Sequence, residues 1–164
     1  MRELILVRHA KSDWGDASLA DHDRPLNARG TRDAPMMARR LAEAGSTVER
    51  IISSTALRAR TTAAVFGAEL GVEVELDEQL YLAPTSRLLA KAVGSEAKRV
   101  MLVAHDPGIS DLASLLSGGG IEHMPTCAVA RFAWDVDAWD TVSPQGSALR
   151  ETAPAHTWSL DTPR

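Results

Sequence analysis

The chain has 164 residues, 45 % of them hydrophobic and 24 % charged, with a formal net charge of −4. That length supports one domain with its own core, spanning residues 1–164, and the mildly acidic balance excludes the broad basic field of a nucleic-acid or anionic-membrane binder. The lone Cys127 excludes an internal disulfide and a thiolate-rich metal site, and the apolar run in "MRELILVRHA" is too short for a signal peptide or membrane span, so a cytoplasmic protein is expected.

Short apolar runs recur along the chain at Leu4–Val7, Arg50–Ser53, Val72–Leu76, Arg99–Ala104 and Ala128–Trp134. Between them lie four segments of helical character: "ARGTRDAPMMARRLAEAG", "TALRARTTAAVFGAELG", "PTSRLLAKAVG" and "PGISDLASLLSG". In the first, Met37, Leu41 and Ala44 recur at the helical period. Gly45 and Gly71 read as helix stops, and Pro35 is expected near a helix start, where proline costs least. "LILV" and "VMLVA" are almost unbroken apolar runs, the pattern of central strands covered on both faces. Strands alternating with helices predict a three-layer α/β/α sandwich around a mostly parallel sheet. Trp134, Trp139 and Trp158 are expected to cover that sheet. The tail after Trp139 is expected either to add an edge strand near Thr157–Leu160 or to lie across the surface.

Parallel sheets of this kind hold ligands beyond the carboxyl ends of their strands, so the residues just past each strand are the place to look for function. The first strand ends in Arg8-His9, the second runs on into a helix whose opening carries Arg58, and the fourth ends in His105. Ser54 reads as the N-cap of the second helix, and Asp106-Pro107 as an N-cap followed by a first-turn proline. Helix N-termini and arginine forks both favour phosphate. A neutral imidazole beside them is a nucleophile able to attack phosphorus, while the second histidine and the arginines stabilise charge on the equatorial oxygens. This scheme requires no metal or other cofactor. The other histidines, His22, His123 and His156, read as structural or solvent-facing.

These residues are similar to a known pattern. "LVRHAKSDW" resembles the opening signature of the histidine phosphatase superfamily, "SSTALRARTTA" its second motif and "VAHDPGIS" its third. "DHDRPLNARG" and "MPTCAV" further resemble the short bacterial SixA-like phosphohistidine phosphatases. The resemblance covers about residues 3–134 and implies a phosphoglycerate mutase-like fold. By it, His9 is the nucleophile that becomes phosphorylated, Arg8, Arg58 and His105 complete the phosphate pocket, and Ser12 contacts the phosphoryl group. Glu78, in "LDEQLYLA", matches the glutamate that serves related enzymes as general acid. Three positions depart from the family pattern: Ala10 replaces a glycine, Thr55 stands where proline is common, and Asp106 replaces asparagine, where helix capping would turn it away from the pocket.

The loops Ser12 to Asn27 and "SGGGIEHMPT" are short, which predicts an open site that admits a phosphorylated protein side chain. The expected activity is metal-independent hydrolysis of protein phosphohistidine. The alternatives are a phosphatase or mutase-like enzyme for small phosphate esters and, from another class, a phosphate-binding module without turnover. Oligomeric state is not legible in the sequence.

Overall fold

The computed structural model describes residues 1–139, 154 and 156–161. Six strands, β1 (Arg2–Arg8), β2 (Arg50–Ser53), β3 (Val74–Leu76), β4 (Arg99–Ala104), β5 (Val129–Trp134) and β6 (His156–Leu160), form one sheet in the order β3-β2-β4-β1-β5-β6. β1, β2, β3 and β4 pair in parallel, and β5 runs antiparallel to both β1 and β6. The sheet is therefore mostly parallel, as expected, with a reversed strand on one side. β6 takes the edge position foreseen near Thr157–Leu160, while most of the preceding tail lies outside the described residues.

Alternation along the strands builds the two cores. Leu4, Leu6, Val100 and Leu102 face α3 (Thr85–Gly94) and α4 (Gly108–Leu116), whose Leu88, Ile109 and Leu112 are fully buried. Ile5, Val7, Met101 and Val103 face α1 (Ala28–Glu43) and α2 (Leu57–Leu70), meeting Met37, Leu41 and Phe66. Each such side chain contributes roughly 1.5–3 kcal/mol by leaving water. Covering both faces explains why β1 and β4 carry unbroken apolar runs rather than alternating ones. Trp134 and Trp139 meet edge-on, 5.7 Å apart, in the first core, and Trp158 packs against the second.

Four local expectations need correction. Pro35 lies inside α1, because the helix starts at its cap Asn27, whose side chain accepts from the Gly30 amide. The bond that Pro35 forgoes is offset by the buried face of Ala34, Met37, Ala38 and Leu41. The third strand is only Val74–Leu76, an edge strand with Leu76 half exposed. Ser54 does not cap α2; Ala56 holds that position without a side-chain bond, and Ser54 is drawn instead toward His105. Asp106 does not cap α4 either, since Pro107 precedes the helix and Asp106 turns toward Arg8. Gly45 and Gly71 do end α1 and α2, with φ of 76° and 69°, values that cost glycine little.

Two close approaches fix the helices against the ends of the strands. A Cβ on Gly30 would lie 2.1 Å from the Lys11 carbonyl oxygen, and one on Gly108 would lie 2.0 Å from that of Ala83. The absence of those methyl groups lets α1 sit on the segment just after β1 and α4 on the segment just after Leu82.

Candidate active site

At the carboxyl ends of β1 and β4 a cavity of about 240 Å³ is lined by Arg8, His9, Ser12, Arg58 and His105, together with residues of the loop between β1 and α1. The backbone fixes His9 from several sides. Its amide donates to Ala104 O at the end of β4, its carbonyl accepts from the Cys127 amide, and the next amide, Ala10, donates to Thr62 Oγ1 on α2. Ala10 fits here fully buried, outside the left-handed region, so the site does not demand the family's glycine.

The imidazole geometry selects a tautomer. His9 Nδ1 lies 2.8 Å from Ala10 O, which can only accept, so Nδ1 carries the proton and Nε2 keeps its lone pair. Arg58 Nε donates to that Nε2 at 3.3 Å. Burial, reinforced by the positive charges of Arg58 and Arg8, lowers the His9 pKa to about 4 despite the bond to Ala10. The ring is thus neutral at neutral pH.

His105 packs 5.1 Å from His9, centroid to centroid. Ser54 Oγ accepts from the Ala56 amide and lies 2.7 Å from His105 Nε2, so the hydroxyl proton is free to point to that nitrogen and leave the ring proton on Nδ1. Burial, then the neighbouring His9 and Arg58, lowers the His105 pKa to about 3. His105 Nδ1 and Arg8 Nε are buried polar atoms without a hydrogen-bond partner in the protein. Such groups cost free energy until something accepts from them, and both belong to residues that line this cavity.

The structure thus brings together Arg8, His9, Arg58 and His105, as expected. Ser12 is present too, but its Oγ accepts from Arg24 Nη1 at 2.8 Å. Glu78 is not brought in: it sits exposed on the short turn Glu78–Leu80 and is not part of the cavity wall. The turn follows the edge strand β3, and it is the next residue, Tyr81, that meets the site, 5.5 Å from the His105 ring.

Several wall residues have no counterpart among the sequence-based expectations. Arg24 is buried, and its guanidinium lies 3.4 Å from the centroid of the Trp14 ring. Asp21 joins the arginines: Arg58 donates to its carbonyl oxygen at 2.7 Å and to its carboxylate at 3.0 Å, and Arg24 Nε donates at 3.1 Å. The Tyr81 hydroxyl donates to the same carboxylate, and this bond, with help from Arg58 and Arg24, holds the Asp21 carboxyl well below the usual range. Asp106 accepts from Arg8 Nη1 at 3.1 Å and lies 3.0 Å from Nε2 of His123, which stays exposed to solvent as expected. His22 is likewise held, 2.8 Å from Thr55 Oγ1. The signal that was available is the charged cluster "DHDRPL" in a loop too polar for a core.

Comparison with known proteins agrees with this geometry. Residues 4–81 match the model of the histidine phosphatase superfamily, branch 1. An uncharacterized chloroplastic protein of Arabidopsis thaliana, At3g52155, is 32 % identical over 154 residues, covering 85 % of this chain and 69 % of that one. The crystal structure of a candidate phosphohistidine phosphatase SixA from Agrobacterium tumefaciens superposes with a TM-score of 0.76 at 28 % identity, covering 81 % of this chain and 92 % of the other. The protein histidine phosphatase SixA in complex with tungstate shares the fold, with a TM-score of 0.72 at 24 % identity over 81 % of this chain and 88 % of that one. The chain therefore belongs to branch 1 of the histidine phosphatase superfamily, in its SixA-like group, and is an enzyme of the phosphatase class.

Proposed function

We propose that this enzyme hydrolyses phosphohistidine on proteins without a metal ion, through a phosphoryl group carried on His9 Nε2. The observation that carries the reading is the tautomer of His9: Nδ1–H is tied to Ala10 O, and the Nε2 lone pair lies where the Arg58 guanidinium points. In the first step Nε2 attacks phosphorus in line as the bond to the departing nitrogen breaks. In the second, water attacks the phosphorus of phospho-His9, releasing inorganic phosphate and restoring the imidazole.

Arg8, Arg58 and His105 surround the phosphoryl oxygens in this scheme, and Arg24 joins them. The two buried donors without partners, Arg8 Nε and His105 Nδ1, supply bonds that become favourable when an oxyanion arrives. The leaving group is the basis for choosing phosphohistidine. The carboxylates on the cavity wall, Asp21 and Asp106, accept from guanidinium groups, and Asp21 is held far from the protonated form. An alkoxide departs slowly without a proton donor, whereas imidazole departs readily.

The test is to quench turnover of a labelled phosphohistidine peptide within milliseconds and to locate the acid-labile phosphoryl group by mass spectrometry. The label is expected on His9, and His9→Ala is expected to abolish both labelling and turnover. A His9→Ala enzyme that keeps the wild-type rate would overturn the reading.

A further inference from the structure

Large exposed apolar side chains are few on the described surface, and two of them, Trp14 and Leu82, share the wall of the phosphoryl cavity. Trp14 is 71 % exposed and Leu82 55 % exposed. They come from different parts of the chain, the loop after β1 and the segment after the turn Glu78–Leu80. Neither position is easily explained by folding. Leu82 holds φ at 50°, in the left-handed region where a leucine is strained, yet it gains little burial in return. Trp14 lies against the Arg24 guanidinium while most of its surface stays open to water.

A phosphoryl group needs cations and N–H donors, which Arg8, Arg24, Arg58 and the histidines supply; it has no use for indole or isobutyl surface. Apolar surface continuous with that pocket therefore has to meet what the phosphorus is attached to. From this we infer that Trp14 and Leu82 form a recognition surface for a flat unsaturated ring carrying the phosphoryl group, with the indole offering its open surface for stacking and Leu82 an aliphatic contact. The cavity, about 240 Å³, has room for a phosphoryl group, with Trp14 and Leu82 on its wall where the attached group would lie. The imidazole of phosphohistidine meets this description. Trp14 and Leu82 are specificity-determining residues, not part of the bond-making machinery, and the inference rests on reading the cavity as a phosphoryl site.

The experiment uses two non-hydrolysable probes that differ only in the group behind phosphorus, phenylphosphonate and methylphosphonate. Binding of each to the full-length enzyme is measured by calorimetry, so turnover is not needed. Wild type is expected to prefer the phenyl probe about tenfold, the size of one good aromatic contact. In Trp14→Ala that ratio is expected to fall to near one, in Trp14→Phe to recover most of its value, and in Leu82→Ala to drop a few-fold. Equal affinities in wild type, or a ratio unchanged in Trp14→Ala, would overturn the ring-recognition inference while leaving the phosphoryl site intact. Failure of both probes to bind wild type would overturn the phosphoryl-site reading, and this inference with it. In turnover, Trp14→Ala is expected to raise KM for a phosphohistidine peptide far more than for phosphoramidate, which has the same P–N bond and no ring. An equal rise for the two would count against ring recognition.

Discussion

Arg58 Nε meets His9 at Nε2, 3.3 Å away, on the nitrogen that holds the lone pair rather than on the one that holds the proton. The same guanidinium uses its two other nitrogens on Asp21. Arg58 is thus braced from one side and aimed at His9, the proposed nucleophile, from the other. Replacing Arg58 by alanine is expected to lower kcat by about two to three orders of magnitude, the usual cost of removing a donor aimed at developing negative charge. The same change removes one of the charges that depress the His9 pKa, so that value is expected to rise from about 4, though burial remains the larger cause. Imidazole NMR titration of wild type and Arg58→Ala checks this; a His9 pKa that stayed still or fell would contradict the placement.

Acid should affect catalysis and stability in different windows. Because His9 titrates at about 4 rather than 6.5, the acid limb of kcat/KM, corrected for substrate ionisation, is expected near 4. Stability begins to change earlier. Between 6.5 and the folded values of about 4 for His9 and 3 for His105, the unfolded chain binds protons that the native state refuses. Stability therefore rises with pH across that window, and it is lost progressively as pH falls through it. Asp21, whose carboxyl is depressed, adds a loss only below its ordinary value of 3.8. Thermal melts from pH 7.5 down to 4 are expected to show Tm declining from about pH 6.5, with a shallower decline in His105→Asn. A Tm flat down to pH 4.5 would rule this out.

The parts of this enzyme legible in its sequence are those whose signal is local. "LILV" and "VMLVA" announce covered strands by composition alone, and the rule that ligands gather at strand ends then joins Arg8-His9, Arg58 and His105. The reversed β5 leaves no such trace, because an apolar strand reads the same in either direction. The stretch holding Asp21 and Arg24 is marked by resemblance, but their roles are not legible in it: their positions depend on how a polar loop folds back over the pocket, which no periodicity encodes. The capping roles expected of Ser54 and Asp106 come from local propensity, and tertiary partners outcompeted it. Ser54 gains His105, and Asp106 gains Arg8, His123 and the Ser110 hydroxyl.

The Asp106 carboxylate bears directly on anion binding. Asp106 stands where the family more often has asparagine, and its carboxylate occupies Arg8 at the edge of the cavity. An incoming phosphoryl group must share Arg8 with it and meets a like charge. Asp106→Asn can keep the bond from Ser110 while removing that charge. Competitive inhibition by inorganic phosphate is expected to tighten about fivefold, corresponding to roughly 1 kcal/mol for a solvent-screened charge pair a few ångströms apart. The gain should shrink as salt is raised. Weaker inhibition in Asp106→Asn would mean that the carboxylate serves chiefly to orient Arg8.

Glu78 gives the sharpest contrast between resemblance and geometry. The family pattern offers it as general acid, yet it is exposed beyond the sheet edge and outside the cavity wall. A general acid has to reach the leaving group, and Glu78 is not part of the cavity wall, so Glu78→Gln is expected to stay within about twofold of wild type on every substrate. The same reasoning fixes how rate depends on the leaving group. Asp21 and Asp106 are committed as acceptors, so departure has to rely on the leaving group's own stability. Phosphoramidates and aryl phosphates should turn over far faster than alkyl phosphates, and log kcat/KM should rise steeply as the leaving-group pKa falls. A series of substituted phenyl phosphates together with one alkyl ester measures that slope. A flat dependence, or a tenfold loss on the alkyl ester in Glu78→Gln, would show that a proton donor does reach the leaving group and would widen the substrate range to esters.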